Sequence, residues 1–239
     1  MARARQERHI AIVLLAGSGR RFATPTPKQF VKLGGKPLFQ YATEKLLKSP
    51  FVDEIVFVLR KSYFDTFLPM IKEMNLKKPY RLVQGGFSRC ASVANAIDAL
   101  REEKEDCLVL IQDGDRPNLK ESYIALSYDG AKLNGAAIVA RKESDSVFIS
   151  KEGQKAESYL NRNEIYHAET PQCFRLSLLR KCYLKSDRRN FTDEGSMVLE
   201  LLDISPQIII SEPGNLKIND QNDANVFLTS LKKPRRHKQ

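Results

Sequence analysis

Histidine and cysteine are both scarce in this chain of 239 residues, with three of the first and four of the second. Cys90, Cys107, Cys173 and Cys182 form no C-x-x-C pair, and no His/Cys cluster exists. A zinc site and a disulfide framework are thereby excluded, and reduced structural thiols are expected. No base or metal pattern surrounds His167, which reads as structural. Long apolar runs are also missing: none approaches the roughly 20 residues that span a bilayer, so no membrane partner is expected. The first nine residues are basic but lead into no apolar core with a small-residue cleavage site. A secretory signal is not expected, and the cytoplasm is the expected compartment. Internal repeats, low-complexity segments and nucleic-acid-binding motifs are absent.

Hydrophobic residues at 42% and charged residues at 28% are ordinary for a soluble globular protein. The length suits one α/β domain, expected over residues 8–231. Residues 1–7 and 232–239 read as basic flexible tails that carry part of the net charge of +10. Nucleic acid is not an expected partner. The remaining basic excess fits a site that handles several phosphates.

Ile10 to Leu15 is a continuous apolar run ending at a glycine turn, which reads as a buried parallel strand. Further strands are predicted at Glu54–Leu59, Arg81–Gln84, Cys107–Ile111, Ala136–Ala140 and Gln207–Ser211. Helices are predicted over about 37–47, through Phe64 to Ile71, after Ser88, and through Ile124 to Ala131. Others are expected near 176–182, 193–202 and 222–231. The alternation predicts a mostly parallel α/β sheet with helices on both faces and ligands at the strand ends. The segment from about 141 to 169 is polar and carries a turn at Glu152-Gly153. It reads as a protruding β-hairpin arm that packs on a partner subunit, since a lone hairpin buries no core.

Gly17-Ser18-Gly19 directly follows the first strand. Glycines let the backbone turn sharply and aim N–H groups at phosphates. No G-K-[ST] follows, and Phe22 stands where G-x-G-x-x-G needs its last glycine, so the turn alone is equally an ordinary loop. Arg20, Arg21 and Lys28 place three cations beside it, which suits a triphosphate. Asp113 ends an apolar strand, where a carboxylate can hold Mg²⁺ against phosphates or merely cap a turn. Asp115 and Arg116 read as a pair with each other. Spacing alone singles out none of Arg162, Thr170, Thr192 and Lys217, which default to solvated surface.

With these segments in order, the chain resembles the 2-C-methyl-D-erythritol 4-phosphate cytidylyltransferases of the non-mevalonate isoprenoid pathway. The resemblance runs from Ile10 to about Leu231. It rests on Leu15-Ala16-Gly17-Ser18-Gly19-Arg20-Arg21, Pro27-Lys28-Gln29, Gly85-Gly86-Phe87-Ser88-Arg89, Asp113 to Pro117, Thr170-Pro171-Gln172, Thr192-Asp193-Glu194 and Asn215-Leu216-Lys217-Ile218.

The resemblance implies a Rossmann-like fold and a homodimer whose arms cross between subunits. It implies that Ala16, Gly17, Gly19 and Arg20 wrap the triphosphate of CTP, with Arg21 and Lys28 catalytic at the α-phosphate. Gly86, Arg89 and Ser92 would lie near the cytosine and ribose, and Asp113 would bind Mg²⁺. Asp145, Arg162, Thr192 and Lys217 would surround the polyol phosphate acceptor, Arg162 reaching in from the partner. The chain departs from the family's usual residues at Leu15, Phe87, Gly114-Asp115 and Phe148. Asp115 and the lysine missing at position 148, where Phe148 stands, are expected to bear on the acceptor pocket more than on the CTP site. Two other readings share these residues: a ribitol 5-phosphate cytidylyltransferase, and a catalytically silent CTP-binding regulator.

Overall fold

The computed structural model of the protein describes residues 7–17, 19, 22, 26–103, 107–186 and 191–232. Arg20 and Arg21, residues 1–6 of the N-terminal tail and 233–239 of the C-terminal tail lie outside the described residues. Glu7, read above as tail, places its carboxylate 2.9 Å from Arg175.

The chain begins with β1 (His9–Leu14), a small hairpin of β2 (Lys32–Leu33) and β3 (Lys36–Pro37), and α1 (Leu38–Lys48). It continues through β4 (Glu54–Leu59), α2 (Phe64–Glu73), β5 (Tyr80–Gln84), α3 (Arg89–Ala99), β6 (Leu108–Asp113) and α4 (Glu121–Asn134). Then come β7 (Ala136–Lys142), β8 (Val147–Ile149), β9 (Ser158–Leu160) and β10 (Tyr166–Arg175). Last are α5 (Leu176–Lys185), α6 (Glu194–Leu202), β11 (Gln207–Ile210) and α7 (Gln221–Lys232).

Seven strands form one sheet in the order β11-β7-β10-β6-β1-β4-β5. Every neighbouring pair is parallel except the two made by β10. Period-two alternation explains why helices cover both faces. Ala11, Val13, Ile55 and Phe57 point to one side, where α1, α2 and α4 bring Phe39, Phe67 and Tyr128. Ile10, Ile12, Val56 and Val58 point to the other, against Val93 of α3, Leu179 of α5 and Met197 of α6. A third cluster packs α7 through Phe227 onto Phe22, Leu33 and Ile218. That cluster ties the chain after the glycine turn to the segment carrying Lys217.

Strand β10 is absent from the sequence prediction, and it lies between β6 and β7. Its polar Glu169, Thr170 and Gln172 are nonetheless buried, and the ladder to β7 shifts register between Ala168 and Gln172. Pro171, which has no N–H to donate, sits inside that irregularity. Strands β8 and β9 pair antiparallel as the hairpin of the arm, and residues 151–164 are all exposed. No disulfide joins the four cysteines, and three of them are buried. Among the described residues, no helix is long and apolar enough to cross a membrane.

Candidate active site

The parallel strands deliver their C-terminal ends to one edge, and the site is built there. Leu14 and Asp113 are register partners at the ends of β1 and β6, and Gly114 N–H donates to the Leu14 carbonyl at 3.0 Å. Leu15 N–H donates to Val58 O at 2.7 Å, fastening the next turn to β4. Between these ends lies a cleft of about 400 Å³. Ala16 and Gly17 from the first turn, Gly86 to Arg89 and Ser92 from the start of α3, and Asp113, Asp115 and Lys217 line it. A second hollow of about 200 Å³ shares Arg89, Asp113 and Lys217 and adds Arg116, Glu169, Thr170 and Thr192.

Asp113 sits at the junction, only 8% exposed. Its N–H donates to Thr170 Oγ1 at 3.1 Å. Lys217 Nζ donates to Oδ2 at 2.8 Å, and Arg89 Nε lies 3.4 Å from Oδ1. Burial works to raise the Asp113 pKa. The charge of Arg89, then the charge and hydrogen bond of Lys217, and finally Arg116 outweigh burial and hold it at about 2. Arg89 is held in turn: its Nη1 donates to the buried Glu194 at 2.7 Å. Burial opposes the charge on Arg89, but Glu194 and Asp113 outweigh it, so the guanidinium stays above its ordinary value. Glu194 also accepts from Tyr183 Oη at 3.1 Å.

Lys28 is not free in the cleft. Its Nζ donates to Asp115 Oδ2 at 2.7 Å and to the Ile218 carbonyl, while Ile218 N–H donates to Asp115 O at 2.9 Å. This corrects two expectations. Asp115 pairs with Lys28 rather than with Arg116, so it bears on the cleft beside the glycine turn rather than on the acceptor side. Arg116 instead donates to the Asn215 carbonyl at 2.9 Å and lies 3.9 Å from both Asp113 and Glu169. Gly19 touches Lys28 directly. Its φ is +60°, and a Cβ there would lie 2.8 Å from Lys28 Cβ, so glycine is required.

The loop from Gly85 to Ser92 is pinned at several points. Gly86 N–H donates to Ser92 Oγ at 3.1 Å, and Ser92 Oγ donates to Ser88 O at 2.8 Å. Ser88 caps α3, accepting from Ala91 N–H at 3.0 Å, as its position before the helix predicts.

The other site residues fall in two groups. Thr192 is brought to the second hollow. Asp145 and Arg162 line neither hollow of their own chain; both are exposed on the arm, where Arg162 Nη1 donates to Ser144 O at 3.0 Å. Thr170 is buried rather than a surface residue. His167 pairs with Glu143 at 2.6 Å at the root of the arm, a structural role. Arg60 was not singled out from the sequence, yet it lines the cleft and forms no ion pair among the described residues. Its place just after β4, on the edge where the other strands end, was the available signal. Glu194, Glu169 and Asn215 were not legible, because their partners lie far away in sequence.

Among the described residues, no group of three or more His, Cys, Asp or Glu side chains could hold a metal. Asp113 and the Oδ1 of Asp115, which is buried and without a hydrogen-bond partner, are the oxygen donors of the cleft. That small donor set fits Mg²⁺, which takes one or two carboxylates and completes its shell with phosphates and water.

Residues 9–230 match the family described as 2-C-methyl-D-erythritol 4-phosphate cytidylyltransferase. A protein of that name from Clostridium novyi is 33% identical over 194 residues, which is 80% of this chain and 83% of the relative. A ribitol-5-phosphate cytidylyltransferase from Lacticaseibacillus paracasei is 27% identical, over 93% of this chain and 97% of the relative. Among solved structures, the 4-diphosphocytidyl-2C-methyl-D-erythritol synthase of Anaerococcus prevotii superposes with a TM-score of 0.83. It is 27% identical, over 95% of this chain and 97% of that one. The sheet order, the cleft at its edge and these matches agree: the chain belongs to the 2-C-methyl-D-erythritol 4-phosphate cytidylyltransferase family.

Proposed function

We propose that the larger cleft holds CTP and the adjoining hollow holds the phosphate of 2-C-methyl-D-erythritol 4-phosphate. The family makes the chain a cytidylyltransferase. A phosphate oxygen of the acceptor forms a bond to the α-phosphorus of CTP. The bond from that phosphorus to the bridging oxygen breaks, and pyrophosphate leaves with the electron pair. One observation carries the placement: Arg89, Asp113 and Lys217 line both hollows, so the two substrates meet at Asp113.

A phosphate monoester has a second pKa near ~6 and is largely dianionic at neutral pH. No general base is needed, in keeping with hollows that no histidine lines among the described residues. The barrier is the approach of two anions and the charge of the transition state, which positioned cations lower. Lys28 and Arg21 serve the α-phosphate, Arg20 the triphosphate, and Lys217 with Thr192 the acceptor phosphate. Asp113, with Asp115 beside it, would hold Mg²⁺. When bound, the ion neutralises the phosphate oxygens and polarises the reacting phosphorus. The arm places Arg162 and Asp145 at the acceptor of a partner subunit. Their absence from the lining of both hollows of their own chain supports this, as do Phe148, Ile149 and Tyr159, which an isolated hairpin leaves exposed.

Incubation with CTP, Mg²⁺ and each acceptor, following pyrophosphate, tests the reading. Release is expected with 2-C-methyl-D-erythritol 4-phosphate. Release only with ribitol 5-phosphate would move the chain to the activity named for its Lacticaseibacillus relative. Lys28→Ala should lower kcat; a loss of acceptor affinity alone at unchanged kcat would refute its role. Mixing Lys28→Ala with Arg162→Ala chains should restore part of the activity through hybrid dimers, and no recovery would refute the crossed arms.

A further inference from the structure

Phe87 is 101% exposed, so its ring is fully open to solvent. Single exposed apolar residues are common and by themselves mean little. This one differs in its mounting and its place. Gly85 N–H donates to Leu59 O at 2.9 Å, and Asn95 Nδ2 donates to Gln84 O at 2.9 Å, which fixes the loop before it. The Gly86 and Ser88 hydrogen bonds described above fix the backbone on either side. Gly85 and Gly86 are packed too closely for a side chain: a Cβ on the first would lie 2.3 Å from Ala16 Cβ, and on the second 2.5 Å from Ala91 Cβ. A fully exposed ring therefore stands on a pinned turn, and it lines the cleft.

We infer that Phe87 is an affinity-determining residue that stacks on the pyrimidine ring of the bound nucleotide. The inference rests on the reading of the cleft as the CTP site. Of the three parts of a nucleotide, only the base offers a π-face to an aromatic ring; phosphates are repelled by the negative face of the ring, and ribose has none. A rigid platform loses little conformational freedom when it is covered. Stacking also tolerates any base, since each has a π-face. Phe87 thus contributes affinity for a pyrimidine nucleotide without choosing between cytosine and uracil.

Phe87→Ala removes the platform without touching the core, so thermal stability should stay that of the wild type. Its Kd for CTP by calorimetry should rise about tenfold, within the range for base–aromatic stacking. The Kd for UTP should rise by the same factor, and kcat at saturating CTP should hold. The chain has no tryptophan, so Phe87→Trp gives a single tryptophan, at the cleft, whose emission can be excited apart from the tyrosines. Its emission should change saturably with CTP and not with the acceptor alone. If Phe87→Ala binds CTP as tightly as wild type, or Phe87→Trp emission is unmoved when calorimetry shows CTP bound, the stacking role is wrong while the CTP reading stands. If the wild type neither binds CTP nor turns it over, the reading of the cleft falls, and the Phe87 assignment falls with it.

Discussion

Leu15 and Gly114 lie against each other just past the ends of β1 and β6, and their geometry makes them one feature. Leu15 is buried in the core cluster beneath the cleft. A Cβ on Gly114 would lie 2.2 Å from Leu15 Cδ2 and 3.0 Å from Leu14 O. Gly114→Ala should therefore overpack the edge at a cost of about 1–3 kcal/mol. Against that stands a gain of about 0.4–1 kcal/mol from a less flexible unfolded chain. The clash wins, leaving a net loss of about 1–2 kcal/mol, which lowers Tm by about 2–4 °C per kcal/mol in a chain of this size. Leu15→Ala alone should cost about 2–5 kcal/mol through lost burial and a cavity. In the double variant the new methyl enters that cavity. The contact with Leu14 O persists, so relief is partial, and the cost of Gly114→Ala should fall by about 1–2 kcal/mol. Thermal unfolding of the four proteins measures the cycle. Strictly additive costs would refute the coupling, and with it the view that Leu15 is accommodated by the missing side chain at 114.

Gly17 and Gly19 should respond oppositely to alanine. Gly17→Ala meets nothing within 4 Å and should leave Tm unchanged, yet its methyl enters the cleft and should raise the Kd for CTP by roughly tenfold. Gly19→Ala should lose about 1–2 kcal/mol because its backbone is left-handed and abuts Lys28; equal stability of the two variants would contradict the geometry. Arg60→Ala, which removes an exposed cation, should raise KM for CTP by about fivefold at low salt and by much less at high salt; an effect that ignores salt would argue against a charge contact. Glu143 accepts from Ser144 N–H at 2.7 Å and Asp145 N–H at 2.8 Å. The Asp145 bond, then His167 and the Ser144 bond, depress its pKa from 4.5 to about 2. Its contribution to the root of the arm is therefore complete above about pH 4.5 and lost only as pH falls through about 2. The amide shifts of Ser144 and Asp145 should titrate near that lower value; a midpoint near the ordinary one would show the contacts absent in solution.

What the sequence revealed, and what it hid, follows from the range of the interactions involved. Strands β1, β4 and β6 were legible because a strand buried on both faces is apolar at every position, and their ends located the glycine turn and Asp113. Strand β10 was not legible because it serves the site: Glu169, Thr170 and Gln172 are polar yet buried, and Pro171 breaks the pattern. Thr170 holds the Asp113 backbone, and Glu169 accepts from Asn215 Nδ2 at 2.8 Å. Polar residues chosen for such partners look like loop to any rule based on hydrophobic period. The same limit hid the Lys28–Asp115 pair, whose members are 87 residues apart, while the neighbours Asp115 and Arg116 looked like natural partners. Proximity in sequence misled there because the two residues sit in the turn after β6, where Asp115 meets Lys28 and Arg116 reaches the Asn215 carbonyl.

The pairing of charges explains how a basic site can exist without its substrates. Lys28 faces Asp115, Lys217 faces Asp113, Arg89 spans Asp113 and Glu194, and Arg116 lies between Asp113 and Glu169. Cations left buried and unpaired would carry a desolvation penalty of several kcal/mol each. Among the described residues the carboxylates supply that pairing, so these four cations are balanced by four carboxylates. In the proposed function, a triphosphate binds by exchanging one set of anions for another. Lys28 would turn from Asp115 toward phosphate, and the carboxylates so released would be the donors that Mg²⁺ prefers. On that proposal nucleotide and metal would favour each other's binding, because each would neutralise what the other leaves exposed. Arg60, the cleft cation with no carboxylate of its own among the described residues, stands outside this exchange and can meet an incoming phosphate first. The glycine turn sets the backbone close enough for the exchange to occur, and the carboxylates opposite it keep the cations in place until it does.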